Sequence, residues 1–303
     1  MTSNNNNTLV ALSAAMADAV EKAGASTVTV DARQRMPASG IAYSAEMVLT
    51  ADHVVERDED ISVQLPDGSR VSAALAGRDP GNDLALLKLT GAGLVPAETS
   101  AAPARIGQLA LALGRPSQEG IQASLGVVSA LGGPVRTGSG GLLEKYLRTD
   151  AIPYPGFSGG PLVDASGYLL GVNTSGLARG VSLTIPVSLA WQVAEALAQH
   201  GSVRRGFLGI RSQPVSINGA AQRLLGRSQS TGLLLVGVEE SSPADEGGLI
   251  VGDILVGLQE AVIDDPDELL VRLSGSIVGQ QAAVEVLRGG QPLKLSVKIG
   301  ERK

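Results

Sequence analysis

The sequence has 303 residues, a length that suggests about two domains with ample core. Its 39 glycines and 15 prolines favour many tight turns and a mainly β body, while aromatic residues make up only 2%, so the core must be aliphatic. A net charge of −6 argues against nucleic-acid or anionic-membrane binding, and the lack of cysteine excludes a disulfide or thiolate site.

The first eight residues are polar and Asn-rich, without the basic region and long apolar core of a signal peptide. No later stretch is long enough to span a bilayer, so we expect no transmembrane segment. For the chain as given this predicts a cytoplasmic location, and a periplasmic or secreted one if a leader has been removed.

An N-terminal helical segment is predicted over residues 1–24, because Gly24 can end a helix. Its apolar residues recur at helical spacing: Leu9, Leu12, Met16 and Val20. From residue 26 to 100 the chain instead shows short strands with turn signals. Ile61, Val63 and Leu65 alternate with polar residues, and Pro66-Asp67-Gly68-Ser69 turns the chain into another strand.

Further strands are predicted from short apolar runs, at 109–113, 123–130, 161–163 and 168–174. Ser188 can cap a helix that runs to His200, with Gly201 at its exit. A polar residue suits a helix C-terminus, so His200 is interpreted as structural. Beyond it the pattern changes again: two strands, a helix capped at Asp265 and an alternating last strand predict a second, α+β domain.

The segment with the clearest chemistry is Gly156-Phe157-Ser158-Gly159-Gly160-Pro161-Leu162. A serine between glycines can approach a substrate carbonyl, and the neighbouring N–H groups can converge on one oxygen. Serine alone is a weak nucleophile and needs a base within reach. Of the two histidines, His53 follows an apolar run, and Asp83 leads into an apolar strand. The order His53, Asp83, Ser158 is that of the chymotrypsin-like triad.

These stretches resemble the trypsin-like serine peptidases, and more narrowly the HtrA/Deg family. The narrower resemblance rests on four further motifs: Gly77-Arg78-Asp79-Pro80, Leu125-Gly126-Val127-Val128-Ser129-Ala130-Leu131, Leu147-Arg148-Thr149-Asp150-Ala151 and Val203-Arg204-Arg205-Gly206-Phe207-Leu208-Gly209. Gly248-Leu249-Ile250-Val251-Gly252-Asp253-Ile254-Leu255 resembles the central motif of PDZ domains. The resemblance extends from about residue 25 to the C-terminus.

The resemblance implies a mainly β fold: a chymotrypsin/trypsin-like double β-barrel over 25–203 and an α+β PDZ domain over 204–303. It implies a serine endopeptidase that cleaves unfolded or misfolded proteins, without cofactor or metal. His53 would act as the base, Asp83 would orient it, and the N–H groups of Gly156 and Ser158 would form the oxyanion hole. HtrA-like proteases commonly form trimers through N-terminal segments, so the resemblance implies a homotrimer. Those contacts often use aromatic residues, and residues 1–24 contain none.

Substrate-binding residues follow from their position relative to Ser158. Ile152 would form the base of the primary pocket, where a trypsin carries Asp, so we expect cleavage after small or medium aliphatic residues. The other predicted substrate contacts are an edge for the substrate backbone and a pocket wall: Thr174, Ser175, Gly176, Leu183 and Ile185. In the PDZ domain, the residues predicted to bind peptide C-termini are Phe207, Leu208, Gly209, Ile210, Leu269, Leu270 and Leu273.

Two other interpretations compete with the peptidase. Gly-x-Ser-x-Gly also fits the nucleophile elbow of α/β-hydrolases, but that fold needs alternating strands and helices, which residues 26–180 do not show. The second is a catalytically inactive scaffold that binds peptides through its PDZ domain. Phe157 motivates it, because the HtrA pattern has Asn there and a bulky ring could tilt the loop or cover the cleft.

Overall fold

A computed structural model of the chain describes residues 3–117, 119–137, 142–178, 181–273 and 277–301. The chain divides into two compact units, Met1–Val203 and Arg204–Lys303. Each unit has its own aliphatic core.

The first β-barrel of the first unit has six strands: β1 (Thr27–Asp31), β2 (Ala38–Ser44), β3 (Met47–Thr50), β4 (Ile61–Gln64), β5 (Arg70–Asp79) and β6 (Leu84–Leu89). They close in the order β1-β2-β3-β6-β5-β4, with every neighbouring pair antiparallel. As the alternation predicts, Ile61, Val63 and Leu65 are buried. The predicted turn follows them, with a positive φ of 89° at Gly68.

The second barrel also has six strands: β7 (Leu109–Gly114), β8 (Gln122–Gly132), β11 (Tyr146–Thr149), β12 (Pro161–Asp164), β13 (Leu169–Ala178) and β14 (Val181–Pro186). Its order is β11-β14-β13-β12-β7-β8. A separate two-stranded ribbon joins β9 (Val135–Arg136) to β10 (Leu142–Leu143). The expected double barrel is thus confirmed.

Two helices pack on these barrels. Helix α1 (Ser3–Gly24) buries Ala19 and Ala23, whereas Leu9 and Leu12 remain exposed. Helix α2 (Val187–His200) buries an aliphatic face and ends at Gly201, which has a φ of 72° and donates its N–H to Leu197. The helix begins one residue before the predicted cap Ser188, because β14 runs directly into it through Pro186.

The second unit is built on a sheet whose strands are β16 (Ile210–Ser216), β17 (Thr231–Val238), β18 (Ile254–Leu258), β20 (Gln281–Arg288) and β21 (Gln291–Lys298), with β19 (Ala261–Val262) paired to β18. The strand order is β16-β17-β18-β20-β21, so β16 lies at an edge. A small pair joins β15 (Gly206–Phe207) to β22 (Gly300–Glu301).

Three short helices complete this unit: α3 (Gly219–Leu225), α4 (Pro243–Glu246) and α5 (Pro266–Arg272). The predicted cap of α5 is observed. The carboxylate of Asp265 accepts the N–H groups of Asp267 and Glu268 at 2.7 and 2.9 Å. Helix α5 lies against β16.

Candidate active site

His53 and Asp83 are in direct contact in the first barrel. His53 lies on a 3-10 turn, Asp52–Val54, that follows β3. Its backbone N–H donates to Asp83 Oδ1 at 2.9 Å, and its Nδ1 lies 2.8 Å from Asp83 Oδ2. Because a carboxylate only accepts, Nδ1 carries the hydrogen and Nε2 is left with its lone pair. Asp83 therefore fixes both the position and the tautomer of the imidazole.

Asp83 is itself held from the second barrel. It is buried, with a left-handed φ of 53° just before β6. The Thr174 hydroxyl donates to its Oδ2, and the N–H of Gly176 donates to the Thr174 oxygen at 3.0 Å. A Cβ at Gly176 would lie 2.6 Å from both Asp83 Oδ2 and His53 Nδ1. Only glycine lets β13 pass this close to the pair.

The Thr174 side chain has a role that was not predicted for it. It is buried and bonds to Asp83, so the hydroxyl supports the acid, while the predicted edge for the substrate backbone stays a prediction. Thr174 thus orients the acid from a strand 91 residues further along the chain. Sequence reasoning had no local signal for this contact.

The charges around His53 include an ion pair. Arg78 Nε lies 3.0 Å from Asp52 Oδ1, and an Arg78 Nη donates to the carbonyl of Val55 at 2.8 Å. Burial raises the pKa of Asp52, the nearby charges of Asp83 and Asp79 raise it further, and Arg78 opposes them. Arg78 therefore offsets negative charge that is concentrated beside the imidazole.

Ser158 follows a tight turn, Tyr154-Pro155-Gly156-Phe157. The N–H of Phe157 donates to the carbonyl of Tyr154 at 3.0 Å, and Gly156 has a φ of 86°. Proline at the second position and a positive-φ glycine at the third are the pattern of a type II turn. Among the residues that the structure describes, the N–H groups of Gly156 and Ser158 have no protein acceptor. Both donors remain available to an oxyanion.

Ser39 joins this turn to the first barrel. It lies on β2 without exposed surface, and its hydroxyl donates to the Gly156 carbonyl at 2.7 Å while accepting the Arg115 N–H at 2.8 Å. The Ser39 N–H also donates to the Ser158 carbonyl at 3.2 Å. The carbonyls of Gly156 and Ser158, one residue to either side of Phe157, are therefore held from β2. A role for Ser39 was not predicted from the sequence. The available signal was a hydroxyl side chain within a strand that is mostly buried.

Phe157 points into the second barrel. Its ring has no exposed surface and packs edge-on against Tyr154, with ring centroids 5.5 Å apart. A Cβ at Gly114 would come within 2.4 Å of the ring, so this glycine makes room for it. The buried ring does not cover the cleft, which removes one of the two effects that motivated the inactive-scaffold interpretation.

The hydroxyl of Ser158 lies 3.1 Å from that of Ser175, within hydrogen-bonding distance. Between Ser158 Oγ and His53 no hydrogen bond is found in the described parts of the chain. Ser175 adjoins Thr174 on β13, so this strand contacts the acid with one residue and the serine with the next. Such serine–base contacts are often loose without substrate and tighten when it binds.

The predicted pocket residues differ in exposure. Ile152 is 60% exposed and donates its N–H to Ser124 Oγ at 2.9 Å, so it offers an apolar surface rather than a buried floor. Leu183 is 5% exposed, and Ile185 is fully buried in the core. The prediction of Ile185 as a pocket wall is corrected: pairing of β14 with β13 sets it opposite Val172, which is also buried.

In the second unit, the predicted carboxylate-binding loop leaves two N–H groups without a protein acceptor in the described residues, those of Leu208 and Gly209. Their carbonyls instead accept the N–H groups of Ala244 and Glu239, both at 2.8 Å. Gly209 has a φ of 79°, and a Cβ there would lie 2.2 Å from Ser242. The loop thus ends beside the open edge of β16 with free donors.

The predicted peptide-contacting side chains are divided between core and groove. Leu269 and Leu273, predicted to help enclose the last side chain of the peptide, are buried in the core of the unit, which is the alternative interpretation for these leucines. The Leu208 side chain is buried as well, which leaves its predicted backbone role unaffected. Phe207, Ile210 and Leu270 are half-buried and keep some surface free.

Within the described ranges, no cluster of three or more His, Asp or Glu side chains could hold a metal ion. In the same ranges, no helix has the length and apolar character needed to cross a membrane.

Comparisons with known proteins agree with this architecture. A family model described as a trypsin-like peptidase domain matches residues 38–172, and one described as a PDZ domain matches residues 206–299. A probable periplasmic serine endoprotease DegP-like of Ectopseudomonas mendocina is 37% identical over 269 residues, covering 86% of this chain and 56% of the relative. A protein of the same name from Brucella suis is 32% identical over 270 residues, covering 86% and 52%. The chain spans about half the length of these curated relatives.

Two solved structures match this chain over nearly their whole length. The HtrA-type protease AlgW with tripeptide has a TM-score of 0.80 and 32% identity, covering 95% of this chain and 97% of the other. AlgW with decapeptide has a TM-score of 0.78 and 29% identity, covering 95% and 99%. The fold and the matched domains define a trypsin-like peptidase joined to a PDZ domain. The chain belongs to the HtrA family of serine endoproteases.

The location expected from the chain as given is not supported by these relatives. They are named as periplasmic, which fits the other expectation, an exported protein.

Proposed function

We propose that the chain is a serine endopeptidase whose triad is His53, Asp83 and Ser158. The observation that carries the proposal is the buried Asp83 carboxylate, which holds the His53 N–H and Nδ1 at 2.9 and 2.8 Å and leaves Nε2 as the base. The free N–H groups of Gly156 and Ser158 support it independently.

Catalysis begins when the Ser158 hydroxyl leaves Ser175 and turns to His53. Nε2 takes the proton as Oγ attacks the substrate carbonyl, and Asp83 stabilises the imidazolium that forms. The negatively charged oxygen of the tetrahedral intermediate accepts hydrogen bonds from the N–H groups of Gly156 and Ser158. His53 then gives its proton to the leaving amine, and water repeats the sequence on the acyl-enzyme.

Substrates of this site are unfolded polypeptides. Ser175 and Gly176 continue the edge of β13 beside the triad, and an extended substrate can add there as a strand. Native proteins keep their backbone groups paired, so a compact protein cannot supply such a strand. The names of the relatives support the periplasm as the place where this occurs. The homotrimer stays a prediction.

We expect cleavage after Val, Ala, Ile or Leu. The exposed Ile152 side chain is apolar and would leave a basic substrate residue unpaired. The measurement is sequencing of products from one protein mixture, presented folded and denatured, with Ser158→Ala as the blank. Predominant cleavage after Lys or Arg, or equal cleavage of the folded mixture, would contradict the assignment.

The second unit binds peptide C-termini. The free N–H groups of Leu208 and Gly209 hold the terminal carboxylate, and the peptide adds to β16 beside α5. The dissociation constant is expected to be micromolar, which corresponds to a binding free energy of about −8 kcal/mol, because a flexible peptide must be ordered when it binds.

The carboxylate role is tested with the full chain carrying Ser158→Ala, so that the peptide survives. A peptide with an aliphatic last residue and a free C-terminal carboxylate should bind at least about tenfold more tightly than the same peptide amidated at its C-terminus. The amide lacks the charged acceptor. Equal affinities would defeat the loop assignment.

A further inference from the structure

The edge strand β16 contains a proline in its interior. Among the described strands, only β17 pairs with β16, so the other side of β16 is open in the described part of this unit. Pro214 lies two residues from the end of the strand. A proline has no N–H, so the side toward which its nitrogen points decides what the open edge can bind.

Hydrogen bonds of β17 settle that direction. The N–H of Leu235 donates to Asp253 at 2.8 Å, and its carbonyl accepts from Gly252 at 2.9 Å, so both groups face away from β16. Direction alternates along a strand, and Leu233 therefore faces the same way as Leu235. Leu233 is the register partner of Pro214. The two form a non-hydrogen-bonded pair, which leaves the Pro214 nitrogen and carbonyl on the open edge.

The same alternation gives the rest of the edge. Ile210 and Ser212 share the parity of Pro214, so their N–H and carbonyl groups also face outward, whereas Gln213 faces β17. An antiparallel peptide bonds to every second residue of such an edge. With its carboxylate at Gly209, its last residue lies beside Ile210, its third from the end beside Ser212, and its fifth from the end beside Pro214.

We propose that Pro214 ends the peptide ladder, so that the second unit reads only the last three residues of a polypeptide. This inference rests on the proposed peptide binding. At the fifth residue the edge has no donor, and the proline ring stands where the peptide backbone would have to approach. The ring therefore also keeps the peptide's fifth N–H from reaching the outward Pro214 carbonyl. The ligands are therefore short free C-termini, whatever sequence precedes them.

The test titrates the full chain carrying Ser158→Ala with peptides of three, four, six and eight residues that share one aliphatic C-terminus. Beyond three residues, affinity should change less than about twofold, because no further ladder bond forms. N-methylation of the third residue from the end should weaken binding, since Ser212 loses a bond, while N-methylation of the fifth should not. One hydrogen bond corresponds to about two- to tenfold.

Pro214→Val supplies the missing donor and should make six residues bind about two- to tenfold more tightly than four. Gln213→Ala is the matched control, because the backbone groups of residue 213 face β17. The affinity of this variant should not change with peptide length beyond three residues. Progressive tightening with length in the Pro214 chain, or weakening by the N-methyl group at the fifth residue, would overturn the inference. If no peptide binds any variant, the proposed peptide-binding function fails, and this inference with it.

Discussion

Ser158→Ala is expected to lower kcat for casein cleavage by on the order of 10⁶, and His53→Ala by a similar factor. The losses are this large because the nucleophile and its base act as one unit, and neither works alone. Both variants should keep the fold. Ser158 is in a loop held through backbone groups, and the His53 ring, whose side chain is 32% exposed, does not fill the core.

The matched control for the serine is Ser175→Ala, which removes the other hydroxyl of the pair. One neutral hydrogen bond contributes about 0.5–1.5 kcal/mol, so this variant should lose at most about tenfold. A fluorophosphonate should label the parent chain, and mass mapping should find the label on Ser158. Cleavage by Ser158→Ala within a few-fold of the parent would rule out the triad. A folded parent that neither cleaves nor labels would be the inactive scaffold.

Local signals in the sequence carried much of the candidate site. His53, Asp83 and Ser158 each follow or precede a strand at a recognisable turn, so their order could be read along the chain. The cap at Asp265 is local in the same way, because its carboxylate bonds to residues two and three positions later. Such features depend on near neighbours alone, and sequence reasoning finds them.

Contacts between distant segments were beyond reach. Ser39 bonds to a carbonyl 117 residues away, and the meeting of β2 with the nucleophile loop follows only from the closed barrels. The pocket prediction failed for Ile185 for a related reason. The alternation of β14 was visible in the sequence, but which face is the core depends on its register with β13. The observed start of α2 differs from the predicted one because β14 continues directly into the helix without a loop.

An ion pair between a buried carboxylate and a partly exposed arginine lies in the second unit where β18 begins. Asp253 has no exposed surface, and its two carboxylate oxygens each accept a bond from Arg288 at 2.8 Å. The carboxylate also accepts the N–H of Ile250 at 3.0 Å, and Arg288 donates to the carbonyl of Gly248 at 2.7 Å. One side-chain pair thus fixes the turn 248–253 to the end of β20.

The charge of Asp253 links this pair to pH. Burial raises its pKa, but the hydrogen bonds from Arg288 and Ile250 outweigh burial, so the folded pKa lies below the ordinary value. The unfolded chain therefore binds the proton more readily than the folded one. The pair stabilises the fold above the unfolded pKa of about 3.9, and that contribution is lost as pH falls through the lower folded pKa.

Asp253→Asn should therefore destabilise the second unit by roughly 2–3 kcal/mol at pH 7, since an amide cannot accept both Arg288 bonds and the Ile250 N–H. The side chain of Arg288 is 35% exposed and can be partly solvated, which keeps the loss below that of a fully buried pair. Toward pH 3 the difference in unfolding free energy between the variant and the parent should narrow, because the parent loses the contribution of its Asp253–Arg288 pair there.

Hydrogen exchange followed by mass spectrometry is the measurement, because the one tryptophan, Trp191, and all four tyrosines belong to the first unit and cannot report on the second. Glu301→Gln is the control: it breaks the exposed Arg204–Glu301 pair of the same unit, at 2.9 Å, and should change stability by less than about 1 kcal/mol. Equal protection in Asp253→Asn and Glu301→Gln would show that the Asp253–Arg288 pair does not stabilise the second unit. A gap that widens in acid would contradict the lowered pKa.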